Sequence, residues 1–285
     1  MTWAAAAKLA FGVSLAVMVF GSGLGARFDD VVGLLRRPAL LVRSLVAVLV
    51  VAPVLAVGLV KVFDLRVQVA VALVALALSP LPPLLPHRGE KAGGRADYGQ
   101  GLVFVLAVLA VPALAVAAPI LSAVFGREYV VTPWVIARAL ILAVLLPLLA
   151  GMAVARMSPA TALRLSGPID RMQRWLLPIA MIVLLVSAVP NIRALLGSHT
   201  MTAVGLFVVG TFAAGQLLGG PDGGDAAILA FAASCRHPAT ALALASANFP
   251  DLDVQAAIAL YLVVTALVGL IYTQWARRRR SAAGG

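Results

Sequence analysis

Charged residues are scarce in this chain: Asp, Glu, Lys and Arg make up 12% of its 285 residues, against about 25% in a soluble domain. With 62% hydrophobic residues and a mean hydropathy of +1.05, that deficit excludes a water-soluble globular fold. Cysteine is nearly absent, and the single thiol, Cys235, cannot close an internal disulfide. Acidic residues are also few, 11 against 22 basic ones, which leaves a net charge of +11. Such a balance could serve nucleic acid. Here the cations lie in short loops between apolar runs, where they set membrane orientation instead, so no nucleic-acid partner is expected. Histidine occurs three times, and His87, His237 and Cys235 have no spacing that matches a metal site.

What the chain has in abundance is apolar runs of about 20 residues, each long enough to cross a hydrocarbon core of roughly 30 Å. Nine spans are expected, near 6–24, 38–60, 67–86, 100–124, 133–155, 175–196, 201–219, 226–247 and 254–276. The longest polar gaps fall near 87–99 and 156–174, too short for a soluble domain. The fold class is therefore an all-α integral membrane protein, one transmembrane domain over 1–285. The first run lacks a charged leader and reads as an uncleaved span. Gly21, Gly23, Gly25, Gly215, Gly219 and Gly220 suit close helix packing. One side of the membrane collects Arg27, Arg36, Arg37, Arg43, Arg88, Lys91, Arg95, Arg156, Arg164, Arg171, Arg174 and Arg277–Arg280. The other holds Lys8, Lys61, Arg66, Arg127, Arg138 and Arg193. The crowded side should face the cytoplasm, with the N-terminus outside and the C-terminus inside a plasma (inner) membrane.

Two spans break the pattern. The third ends in Ser79-Pro80-Leu81-Pro82-Pro83-Leu84-Leu85-Pro86. Prolines lack an N–H and clash with the preceding turn, so Pro80, Pro82, Pro83 and Pro86 predict interrupted helix. The eighth carries Cys235-Arg236-His237-Pro238 inside an apolar run. A charge at the centre of a membrane helix costs roughly 2.5–3.5 kcal/mol on insertion scales and faces a cavity, a partner or a substrate. Paired interruptions are the mark of transporters built from inverted repeats, with the binding site where the broken helices meet. A first repeat over 1–124, lacking its first helix, and a second over 133–276 would place these breaks in equivalent helices.

The chain resembles the bile acid:sodium symporter family along nearly its whole length. The resemblance rests on Arg27-Phe28-Asp29-Asp30 followed by Leu34-Leu35-Arg36-Arg37-Pro38-Ala39, on Val51-Ala52-Pro53, on Leu78-Ser79-Pro80 and on Ala243 to Phe249. It implies a fold with a panel domain and a core domain, in which two unwound helices cross. It also implies sodium ligands that this chain mostly lacks. Small polar residues of the first crossover are replaced by the proline and leucine of Pro80–Pro86. The family's Glu and Gln of the second crossover fall on Ala232 and Arg236, and a Gln of the earlier helix falls on Val48. A hard cation needs oxygen donors, and an arginine repels it.

The expected function is secondary transport of a small organic anion, bile-acid-like, carboxylate or sulfonate, with sodium possible but its ligands unmatched and no other cofactor. Candidate substrate contacts are Arg236, His237, Thr240 and Ser79. Arginine offers a planar fork of donors to such anions, and His237 could make transport proton-dependent. Arg236 could alternatively hold only backbone carbonyls freed by the break. The other class of function is a membrane sensor or scaffold that keeps the fold without transporting. Catalysis is not expected: Cys235 and His237 are two apart and no oxyanion-hole pattern accompanies them. His87, Arg88, Lys91 and Arg95 read as a solvated loop, or as an attractor of anions or anionic lipids.

Overall fold

The computed structural model describes residues 16–82, 85–125, 138, 141–169, 171–172, 175, 199–249 and 251–283. Everything regular in them is helical, with no strand among the described residues. The expected spans at 6–24 and 133–155 are described in part, and the span at 175–196 lies outside the described residues except for Trp175.

In chain order the helices are α1 (Ala16–Gly25), α2 (Phe28–Leu35), α3 (Pro38–Val62), α4 (Val67–Leu78), α5 (Leu85–Lys91), α6 (Ala96–Phe125) and α7 (Leu146–Met157). They continue with α8 (159–169), α9 (Thr200–Leu218), α10 (Gly223–Ser234), α11 (Pro238–Asn248) and α12 (Gln255–Ala283). Proline begins α3 and α11, where its missing N–H costs nothing. By length and composition, α3, α9 and α12 can each cross a membrane. The third, fourth and eighth expected spans correspond to α4 with α5, to α6, and to α10 with α11. The polar gap at 156–174 is not a plain loop. It folds as α8, whose Leu163 is exposed and whose Ala162 is buried.

Exposure follows the solvent expected. On α3, Val42, Val46, Val50 and Val54 form an exposed stripe at four-residue spacing, while Leu40, Ser44, Ala47, Val48, Ala52 and Ala56 are buried behind it. An apolar stripe facing outward is what lipid requires of a spanning helix. The two interrupted helices are instead enclosed. Every residue from Val69 to Ala77 in α4 and from Gly224 to Ser234 in α10 is buried. One large apolar cluster joins α3, α4, α6, α9, α10, α11 and α12. A second, smaller one joins Val19 of α1, Ala107 and Ala110 of α6, and Val144 and Leu148 beside and in α7.

Small residues allow the closest approaches. Cβ atoms on Gly215 of α9 and on Gly219, which caps it, would collide with the backbone of α10 at Leu229–Ala230 and at Ala226. Gly23 and Gly151 do the same between α1 and α7. Gly25 meets nothing closer than 3.8 Å, and Gly220 serves a turn, at φ +88°.

Candidate functional site

The first break begins where α4 ends. Ser79 leaves the helix in an extended conformation, and the chain stays irregular through Pro82. Pro83 lies outside the described residues. Pro86 departs from expectation: it sits inside α5, at its second position, where no intrahelical N–H bond is yet required. The second break is three residues long. Cys235 and His237 are extended, and Pro238 opens α11. Pro238 thus starts a helix rather than kinking one.

The two breaks meet. The His237 N–H donates to the Pro80 carbonyl at 3.1 Å. Arg236 is 3% exposed, and its guanidinium donates to the Ser79 carbonyl at 3.4 Å and to the Val48 carbonyl at 2.9 Å. Both acceptors are backbone groups without a helical partner. Ser79 stands past the end of α4. Val48 lies in a π-helical turn, Val46–Val51, in which the Ala52 N–H reaches back to Ala47. In that five-residue register Val48 faces Pro53, which has no N–H to give. The guanidinium fills the vacancy. Its Nε remains buried with no acceptor. Among the described residues, no carboxylate pairs with it.

The other polar groups where the breaks meet are mostly occupied with backbone. The Tyr261 hydroxyl, from α12, donates to the Ser234 carbonyl and accepts from the Arg236 N–H at 2.9 Å. It stitches the end of α10 to the extended stretch. His237 Nδ1 accepts from the Thr240 N–H at 3.3 Å and meets the Thr240 hydroxyl at 3.1 Å, so this ring caps α11. Ser79 contributes its carbonyl to Arg236 and turns its hydroxyl onto Leu76, 2.8 Å away. Ser234 and Thr211 bond each other at 3.2 Å. Among the described residues, no three His, Cys, Asp or Glu side chains converge as metal ligands; His87 is exposed and faces Glu90 at 3.8 Å.

One residue of interest was not singled out by the sequence, and a second was named there only as one of a group of loop cations. Asp225 opens the first turn of α10, is 1% exposed, and takes both guanidinium nitrogens of Arg37. That contact raises the Arg37 pKa above its ordinary value. The signal was faint, an acid three residues after the capping Asp222. Arg88, read as a loop cation, extends from α5 to within 3.8 Å of the Cys235 sulfur.

The family model described as "Sodium Bile acid symporter family" matches residues 13–197. The chain belongs to the sodium bile acid symporter family. A comparison with curated proteins gives no match. The matched segment runs through the first break and stops short of the second, so Arg236 lies beyond it. The family is one of membrane transporters, which accords with buried breaks inside a shell of apolar helices. Val48 and Arg236, two positions that the resemblance aligned with ion-binding residues, are in contact here.

Proposed function

We propose that this member of the sodium bile acid symporter family is a secondary transporter of a small organic anion, carboxylate or sulfonate, that works without sodium. Alternating access would rock the panel helices against the core around the crossed breaks. In this reading the chain has nine spans in two inverted repeats, 1–124 and 133–276, with the basic end in the cytoplasm.

One observation carries the reading. A permanently charged guanidinium sits at the crossing of two broken helices, held by the carbonyls of Val48 and Ser79 and matched by no carboxylate among the described residues. Backbone carbonyls are also what a sodium ion would use. Arg236 thus supplies, as part of the chain, the positive charge that a bound cation would bring, and a second cation beside it is repelled. Its Nε–H is buried and has no acceptor, and an anionic substrate would satisfy it. His237 serves better as a fixed cap than as a proton carrier: protonating Nδ1 would turn the acceptor for Thr240 into a donor facing a donor.

Uptake into proteoliposomes tests this. A panel of labelled carboxylates and sulfonates, bile acids included, is offered under sodium, potassium or proton gradients. Sodium-independent uptake is expected for at least one anion. Arg236→Gln should lower it by about tenfold or more, the worth of a charge-assisted hydrogen bond. Strict sodium dependence overturns the substitution of ion by arginine, and undiminished uptake by Arg236→Gln overturns its binding role.

A further inference from the structure

We propose that Arg88 is a second anion-binding residue, one step from the crossing point toward the basic end, and that it holds the carboxylate or sulfonate of a solute passing between Arg236 and that end. Its purpose rests on the transport reading above; its geometry does not.

Arg88 belongs to α5, the short half-helix that follows the first break and packs against α6 and α10. Gly89 and Gly94 lie against Ile228, where a Cβ would collide, so α5 is held tightly to α10. A long cationic side chain near the end of a membrane helix ordinarily snorkels outward to headgroups and water. Arg88 does the reverse. Its side chain is partly buried and carries a terminal nitrogen to 3.8 Å from Cys235 Sγ, at the edge of the second break. A thiol is a weak acceptor and gives a guanidinium little in return for lost water. Among the described residues no ion pair reaches Arg88; the nearby Glu90 faces His87 instead. Its planar fork of donors therefore remains open to an incoming anion.

Arg236 is the neighbouring cation. It too is a guanidinium without a carboxylate, nine-tenths or more buried, with an unpaired N–H. In an extended stretch consecutive side chains point to opposite faces. Cys235 and Arg88 thus mark one face of the peptide between α10 and α11, and Arg236 marks the other. A single backbone segment has a cation at each face, and an anion handed past it meets one and then the other. Arginine's planar fork suits oxyanions such as the carboxylates and sulfonates of the transport reading.

Cys235 is the chain's only thiol; it is buried in this structure, so a reagent reaches it only by the path that the solute would take, and its labelling reports on this face. The test compares two methanethiosulfonates on the full-length protein, the anionic sulfonatoethyl reagent and the cationic trimethylammonioethyl reagent. In each case the Cys235 thiolate attacks the sulfenyl sulfur, a mixed disulfide forms and methanesulfinate leaves. Any change in thiolate fraction cancels in the ratio of rates. The anionic reagent should be preferred about tenfold over the same ratio for a free thiol, since opposite charges a few Å from one cation differ by at least that much. Arg88→Gln should bring the ratio near the free-thiol value, and Arg88→Lys should keep most of the preference, which separates charge from misfolding. An unchanged ratio in Arg88→Gln overturns the proposal. So does a folded protein in which neither reagent reaches Cys235, when both react after denaturation. A sulfonate preference without uptake of any anion keeps this site and sinks the transport reading. Uptake with an unchanged ratio does the opposite.

Discussion

At the residue scale, the meeting of the two breaks is an exercise in satisfying orphaned backbone. Breaking two helices inside a membrane frees carbonyls and N–H groups that cannot turn to water. Arg236 takes the carbonyls of Val48 and Ser79, His237 takes that of Pro80, and Tyr261 takes that of Ser234. Tyr261 is fully buried, and its hydroxyl serves both a carbonyl and an N–H. Tyr261→Phe removes one atom and strands both groups, at a cost of about 1–3 kcal/mol for each left unpaired. The unfolding midpoint in detergent, followed by intrinsic fluorescence, should fall by several degrees. A midpoint equal to wild type would mean that the hydroxyl carries no such burden. Arg236 was visible in the sequence as an expensive anomaly. Its partners were not, because Val48 is 188 positions away and contributes only its carbonyl.

At the element scale, interruption and enclosure go together. The helices that break, α4 and α10, are buried on all sides over Val69–Ala77 and Gly224–Ser234, and nothing but protein can repair their broken ends. The prolines announced the first break and the tetrapeptide around Arg236 the second, since a missing N–H acts locally. The fate of each proline was less legible. Pro86 lies in a helix and Pro238 begins one, because a proline near a helix start costs little and only the start position decides. The contact between α9 and α10 depends on Gly215 and Gly219, four residues apart on one face. Gly215→Leu should push α10 away and destabilise by about 1–3 kcal/mol or more, as overpacking does. Retention of the folded peak in size exclusion and an unaltered midpoint would show that α10 can shift freely. The glycine spacing was readable in advance for this pair, but the same reading gave no distinction between Gly215, which packs, and Gly220, which turns.

At the scale of the whole molecule, exposed apolar residues on α3, α9 and α12 meet lipid, while the buried apolar residues form a larger and a smaller cluster. A ligand that binds only the folded state raises stability by about 2.7 kcal/mol at one hundred times its dissociation constant. If Arg236 occupies the place of a coupling cation, replacing potassium chloride by sodium chloride at constant ionic strength should leave the unfolding midpoint unmoved. Arg236→Gln removes the resident charge, and a sodium-dependent rise in that variant alone would be the clearest sign of the exchange. A sodium-dependent rise in the unaltered chain would contradict it.

The sequence by itself determined the solvent, the helical class, the family and the two places where helices fail, because each follows from composition or from a local steric rule. Tertiary structure decided what those failures are for. It brought Arg236 onto carbonyls from α3 and from the break after α4, buried Asp225 against Arg37, and turned Arg88 inward to Cys235. These are contacts between helices far apart in the chain, set by backbone groups and side-chain direction. Residue identity and spacing along one helix do not encode either.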